Sequence, residues 1–297
     1  MRVAVTGASG LIGTALVPHL RSVGHEVVRL VRRPATAPDE VTWDPTAGTV
    51  DLERLAGTDA VIHLAGAGVG DHRWTDDYKR EILDSRVDGT HTIVNAMLAL
   101  DPKPRVLVSA SAIGWYGDTG DRPVDETAPA GSGFLADVVR AWEAAAAPAA
   151  SGGIRVVHPR TGLVVAKEGG AWARMFPLFK FGLGGKLGNG RQYWSWISLR
   201  DEICALQFLM EQDHLSGPVN LTGPDPVTNA EITSAMGRVL GRPTILPAPA
   251  FALKAVLGEF STEVLGSARV MPTVLEGAGF RFQDPTIESA IRTALAS

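Results

Sequence analysis

The chain has 297 residues, 45% of them apolar, and a mean hydropathy of +0.09, which suffices for a globular core in one large or two medium domains. A net charge of −4 with no basic cluster interleaved with aromatics excludes a nucleic-acid footprint, and no apolar run reaches membrane-spanning length. A single cysteine excludes an internal disulfide and seven histidines lack metal-ligand spacing, so neither metal nor membrane partner is expected, and a cytoplasmic location is.

Val3, Ala4 and Val5 read as a buried parallel strand that runs into Gly7, Gly10 and Gly13, after which Ile12, Ala15, Leu16, Leu20 and Val23 share one helical face. Glycines in that order serve a tight turn, a backbone bare enough for a pyrophosphate, and close packing of helix on strand. The helix N-terminus then offers unpaired N–H groups to the phosphates. A dinucleotide is therefore expected at Gly7, Ser9, Gly10, Leu11, Ile12 and Gly13. Gly24 closes the helix, and Pro18 predicts a bend inside it. A second strand over 26–31 ends in Arg32 and Arg33, where a cofactor with a free ribose 2′-hydroxyl would ask for a carboxylate. Paired guanidinium groups suit a 2′-phosphate in charge and in fork geometry, so NADP is expected over NAD, with Arg32 the better placed of the two.

Strand-like runs at 60–64, 105–109 and 154–157 alternate with helical stretches at 76–100 and 134–147, the pattern of an α/β Rossmann-type, doubly wound parallel sheet. Ligand-facing residues then follow each strand directly. Leu64, Ala65 and Gly66 let a cofactor lie against the backbone on its adenosine side. Ser109, Ser111 and Tyr116 offer hydroxyls to a substrate carbonyl or alcohol, and Pro159 and Gly162 shape a loop beside the nicotinamide end. From about 165 the chain turns glycine-rich and aromatic. Gly182, Gly184, Gly185, Gly188 and Gly190 suggest a substrate lid or hairpin, whose Lys180, Lys186 and Arg191 suit a substrate phosphate or a solvated loop equally. Trp194 and Trp196 read as packing residues, Cys204 as core, and Thr228-x-x-Glu231 as a capping box. The division that follows is a cofactor domain over 1–165, to which segments near 193–222 return, and a smaller C-terminal α/β substrate region over 166–297.

The glycine spacing, the run from His63 to Gly66 and the Ser109-x-Ser111…Tyr116-Gly117 segment resemble the extended short-chain dehydrogenase/reductase superfamily, whose members include NAD(P)-dependent sugar-nucleotide epimerases and dehydratases. More narrowly, residues 182–192, 196–198, 226–231 and 240–243 resemble its epimerase-family-protein subgroup, over essentially the full length. The resemblance implies cofactor contacts at Arg32, Leu64, Ala65, Arg80, Ser85 and Arg160, a subgroup C-terminal domain over about 247–295, and the superfamily's habit of homodimers.

Superfamily chemistry uses a Tyr-x-x-x-Lys dyad, in which the lysine lowers the tyrosine pKa for proton transfer. This chain has three tyrosines, at 78, 116 and 193, and Ile82, Gly120 and Ile197 stand four residues on. Residues 133–140, before Trp142 and Glu143, offer no phenol either. Two readings follow. One is an NADP-dependent oxidoreductase or nucleotide-sugar epimerase-like enzyme on an unidentified small molecule, with Ser111 orienting the substrate and Tyr116 or an ordered water supplying the proton. The other is a non-catalytic NADP(H) sensor or interaction protein, since the resemblance extends to proteins linked with cell or plastid division.

Overall fold

Short apolar runs bounded by glycine and polar residues build a nine-stranded sheet in the computed structural model, which describes residues 1–296. The strands are β1 (Arg2–Thr6), β2 (Glu26–Val31), β3 (Glu40–Asp44), β4 (Thr49–Val50), β5 (Ala60–His63), β6 (Val106–Ser109) and β7 (Ser111–Ala112). β8 (Pro123–Val124) lies outside the sheet, which resumes with β9 (Arg155–Thr161). After β10 (Leu163–Val165), β11 (Tyr193–Trp194) and β12 (Trp196–Ser198), it ends with β13 (Gly217–Leu221). The lateral order is β13-β9-β6-β5-β1-β2-β3-β4, with β7 prolonging the pairing along β9, and every pair but β3/β4 is parallel. The chain winds outward from β1 in one direction and from β5 in the other, so the ligand-accepting crevice opens between their carboxyl ends.

The strands are buried on both faces, and alternation decides which helices each residue meets. Val3, Val5, Ile62, Val108 and Val157 pack with Leu16 and Leu20 of α1 (Leu11–Ser22). On the opposite face Ala4, Val61, Leu107 and Val156 meet the helices that follow α2 (Leu52–Leu55): α3 (Asp76–Ala99), through Ile93 and Met97, and, beyond α4 (Phe134–Ala145), α5 (Ala147–Ser151), through Ala146 and Ala149 beside it. Each fully buried aliphatic side chain contributes about 1.5–3 kcal/mol to this arrangement.

Downstream, α6 (Gly170–Lys180), α7 (Leu199–Glu211), β14 (Val227–Thr228) and α8 (Asn229–Leu240) precede α9 (Ala250–Leu257), α10 (Ser261–Leu265), β15 (Arg269–Val270), α11 (Thr273–Gly277) and α12 (Ile287–Ala296). Ala205 and Leu209 of α7 join the α1 side of the main core. A second, smaller core gathers Trp172 and Phe176 from α6, Ile232 and Met236 from α8, Ala290 and Ile291 from α12, and the buried Trp194 and Trp196. Among the described residues, no helix is long and apolar enough to cross a membrane.

Several local expectations change. α1 runs from Leu11 through Pro18 to Ser22 without a break. Pro18 and Thr14 both lie on the exposed face, so the carbonyl that loses its N–H partner is free to turn to water. β9 continues to Thr161 where a loop was expected. Pairing between β6 and β9 ends at Val108↔Val157 and resumes as Ser111↔Arg160 on β7, so Pro159 falls in the gap, where its missing N–H costs no bond. Residues 182–190 form no hairpin: Gly188 N–H donates to the Ala248 carbonyl at 2.9 Å and Ala248 N–H to that of Lys186 at 2.8 Å. A Cβ on Gly185 would stand 2.0 Å from the Leu246 oxygen, so the glycines serve close backbone packing there. β3 was not expected at all, since Pro38, Pro45 and Gly48 give that stretch a turn composition.

The capping box at α8 forms with both bonds, Thr228 N–H to Glu231 Oε2 at 2.7 Å and Glu231 N–H to Thr228 Oγ1 at 3.3 Å. Thr228→Ala is accordingly expected to lower stability by about 1 kcal/mol, read as a reduced urea midpoint at unchanged slope. An unchanged midpoint would show that the cap contributes nothing.

Candidate active site

The turn after β1 is built by glycine for stated steric reasons. Gly7 has φ +66°, and a Cβ there would lie 2.9 Å from the Leu64 carbonyl carbon across the crevice. A Cβ on Gly13 would lie 2.2 Å from the Gly7 oxygen, which forces helix against loop. Gly10 and Ser9 are exposed, Leu11 and Ile12 half-buried, and the N-terminus of α1 has neither a side-chain cap nor an acidic residue in its first turn. Such a helix end is suited to a phosphate. Thr6 Oγ1 accepts from Leu64 N–H at 3.0 Å and Ala65 N–H at 3.2 Å, pinning the loop after β5 against the glycine turn. With both lone pairs used, Thr6 donates its proton to His63 Nδ1 at 2.8 Å, so the His63 proton sits on Nε2. Burial pushes the His63 pKa down to about 4.

At the end of β2 the two arginines part company. The Arg33 fork grips Glu40 at 2.8 and 2.6 Å, and that bond, with the Thr36 backbone N–H, holds the Glu40 carboxyl far below the ordinary range. Arg32 is exposed and has no ion-pair partner among the described residues, so it alone keeps its guanidinium available.

Along the loop after β5, Ala67 N–H donates to Ser85 Oγ at 3.0 Å. Arg80, expected beside it, points to solvent and pairs with Asp77. Arg86 takes the inner place instead. Its Nη1 donates to the Ala67 and Ile82 carbonyls, each at 2.9 Å, its guanidinium lies 4.9 Å from the Trp142 ring, and a Cβ on Gly66 would touch it at 3.3 Å. Burial lowers its pKa to about 10, and no carboxylate pairs with it among the described residues. The inward period of α3 through Tyr78, Ile82 and Gly89 is the signal that picks out Arg86 over Arg80.

At the ends of β6 and β9 the structure joins Ser111, Tyr116 and Arg160 through a residue not singled out in the sequence, Glu143 of α4. Ser111 Oγ donates to Glu143 Oε1 at 2.6 Å, and Arg160 grips the same carboxylate through Nε at 2.8 Å and Nη2 at 3.0 Å. Arg160 Nη1 donates to the Tyr116 hydroxyl at 3.0 Å, Tyr116 donates to Asn220 Oδ1 at 2.7 Å, and Asn220 Nδ2 donates to the Met271 carbonyl at 2.9 Å. The Arg160 guanidinium also stacks 3.9 Å from the Trp115 ring. Burial opposes its charge, but the hydrogen bonds and charge of Glu143 outweigh burial and raise its pKa. Burial likewise raises the Tyr116 pKa, against the pull of Arg160.

Two expectations are revised by these bonds. Arg160, expected at the cofactor, has each of its three guanidinium nitrogens bonded to Glu143 or Tyr116. Tyr116, expected to exchange a proton with substrate, has its proton committed to Asn220 and its oxygen to Arg160.

Comparison with known proteins fits this crevice. Residues 3–221 match the family described as the NAD dependent epimerase/dehydratase family. The chain belongs to that family. Residues 248–294 match a domain of unknown function, DUF1731. The epimerase family protein Mb2239 of Mycobacterium bovis is 49% identical over 290 residues, 97% of this chain and 96% of its own. The crystal structure of the human epimerase family protein SDR39U1 with NADPH superposes with a TM-score of 0.91 at 30% identity, covering all of both chains. The UDP-glucose 4-epimerase of Thermus thermophilus, in complex with NAD, shares the fold with a TM-score of 0.76 at 20% identity, covering 99% of this chain and 98% of that one.

In this epimerase-family chain α4 begins with Phe134 and carries no tyrosine. Phe134 packs 4.9 Å from Trp74, with the Lys79 ammonium 5.1 Å over its ring. Ser111 and Glu143 carry polar chemistry just past the β6 end, at the same carboxyl edge of the sheet as the glycine turn and the pinned Leu64–Ala65 loop. Glu143 was legible as an oddity: it interrupts the apolar stripe of Val139, Trp142 and Ala146.

Proposed function

We propose that this chain is a cytoplasmic NADP(H)-dependent enzyme, an oxidoreductase or epimerase-like protein, that acts on a small hydroxyl or carbonyl compound at Ser111. The observation that carries the reading is the bond from Ser111 Oγ to Glu143 Oε1, 2.6 Å long, beside a glycine turn open to a dinucleotide. The NADPH in the human relative's structure supports the choice of cofactor. Gly7, Ser9, Gly10, Leu11, Ile12 and Gly13 would hold the pyrophosphate. Leu64, Ala65 and Gly66 would line the adenosine side, Arg32 would meet the 2′-phosphate, and Ser85 and Arg86 would close the loop over the cofactor. Bound NADP(H) supplies the hydride donor or acceptor. Ser111, 3% exposed, gives its one proton to Glu143, which leaves its lone pairs to accept from a substrate hydroxyl brought to the β6 end. As the substrate proton moves to Ser111 Oγ, the Ser111 proton moves to Glu143 Oε1, and the reverse order returns a proton to a carbonyl. Arg160 holds the carboxylate at two points and balances its charge.

Arg32→Ala is expected to weaken NADPH binding by about 1–3 kcal/mol more than NADH binding, as measured by calorimetry. Equal losses for the two cofactors would remove the 2′-phosphate role. In a panel of carbonyl compounds, alcohols and nucleotide sugars with NADPH or NADP, turnover is expected that Ser111→Ala lowers by roughly 100-fold or more. NADPH binding without turnover across such a panel would favour the sensor reading instead.

A further inference from the structure

The segment 267–271 lies within the domain of unknown function, yet it is held by the Rossmann part from three sides. β15 pairs with β8, Ser195 Oγ donates to the Ala268 carbonyl and accepts from Val270 N–H, both at 2.8 Å, and Thr222 Oγ1 donates to the Val270 carbonyl at 3.2 Å. Next to this anchor, Asn220 is fully buried at the end of β13, with its backbone N–H and both polar atoms of its amide engaged. Its backbone N–H donates to Glu126 Oε1 at 2.9 Å, and its amide bridges Met271 and Tyr116.

The direction of each bond from there to Ser111 is dictated by chemistry. A peptide carbonyl only accepts, so the Met271 oxygen requires the amide nitrogen of Asn220 and turns Oδ1 toward Tyr116. Tyr116 must then donate to Oδ1, which leaves its oxygen to accept from Arg160, a residue that only donates. Arg160 spends its remaining inward N–H groups on Glu143, and Glu143 takes the Ser111 proton. Reversing the amide would set two acceptors face to face at Met271 and strand the phenol.

We propose that Asn220 is a positioning residue through which the C-terminal domain orients Ser111: the Met271 carbonyl fixes the Asn220 amide, and Tyr116, Arg160 and Glu143 pass that constraint to the serine hydroxyl. The proposal rests on the reading of Ser111 as the group that meets substrate. It gives the C-terminal domain a role in the site without a direct contact with substrate.

The test uses the full chain, isotopically labelled and saturated with NADPH. The Arg160 Nε–H, buried against Glu143, is expected to give a slowly exchanging NMR signal, assigned by its disappearance in Arg160→Lys. Asn220→Ala and Tyr116→Phe are each expected to speed its exchange with solvent by roughly tenfold or more, because the guanidinium loses its third anchor. Asn220→Asp gives the sharper signature. Its protonated acid reproduces one donor and one acceptor, so exchange matches that of the parent protein at low pH and becomes faster than the parent's at the same pH as the carboxyl ionises. Exchange as slow as in the parent protein in Asn220→Ala, or in a constant ratio to the parent's at every pH in Asn220→Asp, would overturn the proposal. Should Asn220→Ala not fold, the ratio of Asn220→Asp to the parent protein at two pH values decides the matter. Where the parent protein turns a substrate over, the Asn220 variants lose kcat with KM little changed. An inert parent protein sinks the enzymatic reading of Ser111, while the exchange measurement still reports on the link to Met271.

Discussion

Arg160→Met is expected to lower the stability of the fold by about 3–5 kcal/mol, because it leaves the charge of Glu143 buried with only Ser111 to answer it. The side chains of Arg160 and Glu143 are 3% and 11% exposed, so water does little to relieve the stranded carboxylate. Methionine keeps the apolar stem, which confines the loss to the guanidinium and its contacts, its stacking on Trp115 included. The double variant Arg160→Met, Glu143→Gln is expected to recover most of the loss, since no charge is then stranded, although Tyr116 still lacks a donor. Urea denaturation of both singles and the double gives the coupling directly. A double variant as unstable as the sum of the singles would show that the pair is not an interacting unit. NADPH affinity measured on the same proteins separates this structural role from a cofactor contact: with each guanidinium nitrogen bonded to Glu143 or Tyr116, Arg160→Met should leave that affinity nearly unchanged.

The parts of this site visible in the sequence are those fixed by neighbours in the chain. Gly10 and Gly13 are dictated by one turn of backbone, and the strand over 26–31, with Arg32 just past its end, was legible from its apolar run, so neither needed a tertiary contact to be read. The face of α3 was legible in principle. Arg80 and Arg86 lie on the same helix, and only the buried positions 78, 82 and 89 tell the solvent-facing one from the one under the loop. The network behind Ser111 was not legible. Its bonds span 32 residues from Ser111 to Glu143, 104 from Tyr116 to Asn220 and 51 from Asn220 to Met271, separations over which no periodicity carries information. The same limit explains Arg160 and Tyr116. Their places at strand ends were readable, but what fills their hydrogen bonds was decided by Glu143 and Asn220, brought in by α4 and β13.

Stability is expected to fall by about 2 kcal/mol between pH 6.5 and pH 8, and Glu202→Gln is expected to flatten that fall. Glu202 is fully buried in the first turn of α7; Thr161 Oγ1 donates to its Oε1 at 2.8 Å, and its Oε2 has no partner among the described residues. Burial, only partly offset by that bond, pushes its pKa from 4.5 up to about 8, so the folded chain keeps a proton that the unfolded chain releases. The stabilisation from that proton is complete below pH 4.5 and drains away as pH rises through 8. His63 has the opposite sign. Its pKa falls from 6.5 to about 4 in the fold, so its contribution is complete above pH 6.5 and is lost as pH drops through 4. Between pH 4.5 and 6.5 the two slopes oppose one another, with the burial-lowered His158 on the side of His63 and the burial-raised Glu126 and Glu263 on the side of Glu202, and above pH 6.5 the histidines drop out. Denaturant midpoints should thus decline from pH 6.5 to pH 8.5 in the parent protein. Glutamine at 202 keeps an oxygen for Thr161 and cannot ionise, so that variant should hold level from pH 6.5 to pH 8 and lose stability instead on acidification through the His63 range. Parallel curves for the two proteins above pH 6.5 would show that Glu202 is already ionised in the fold.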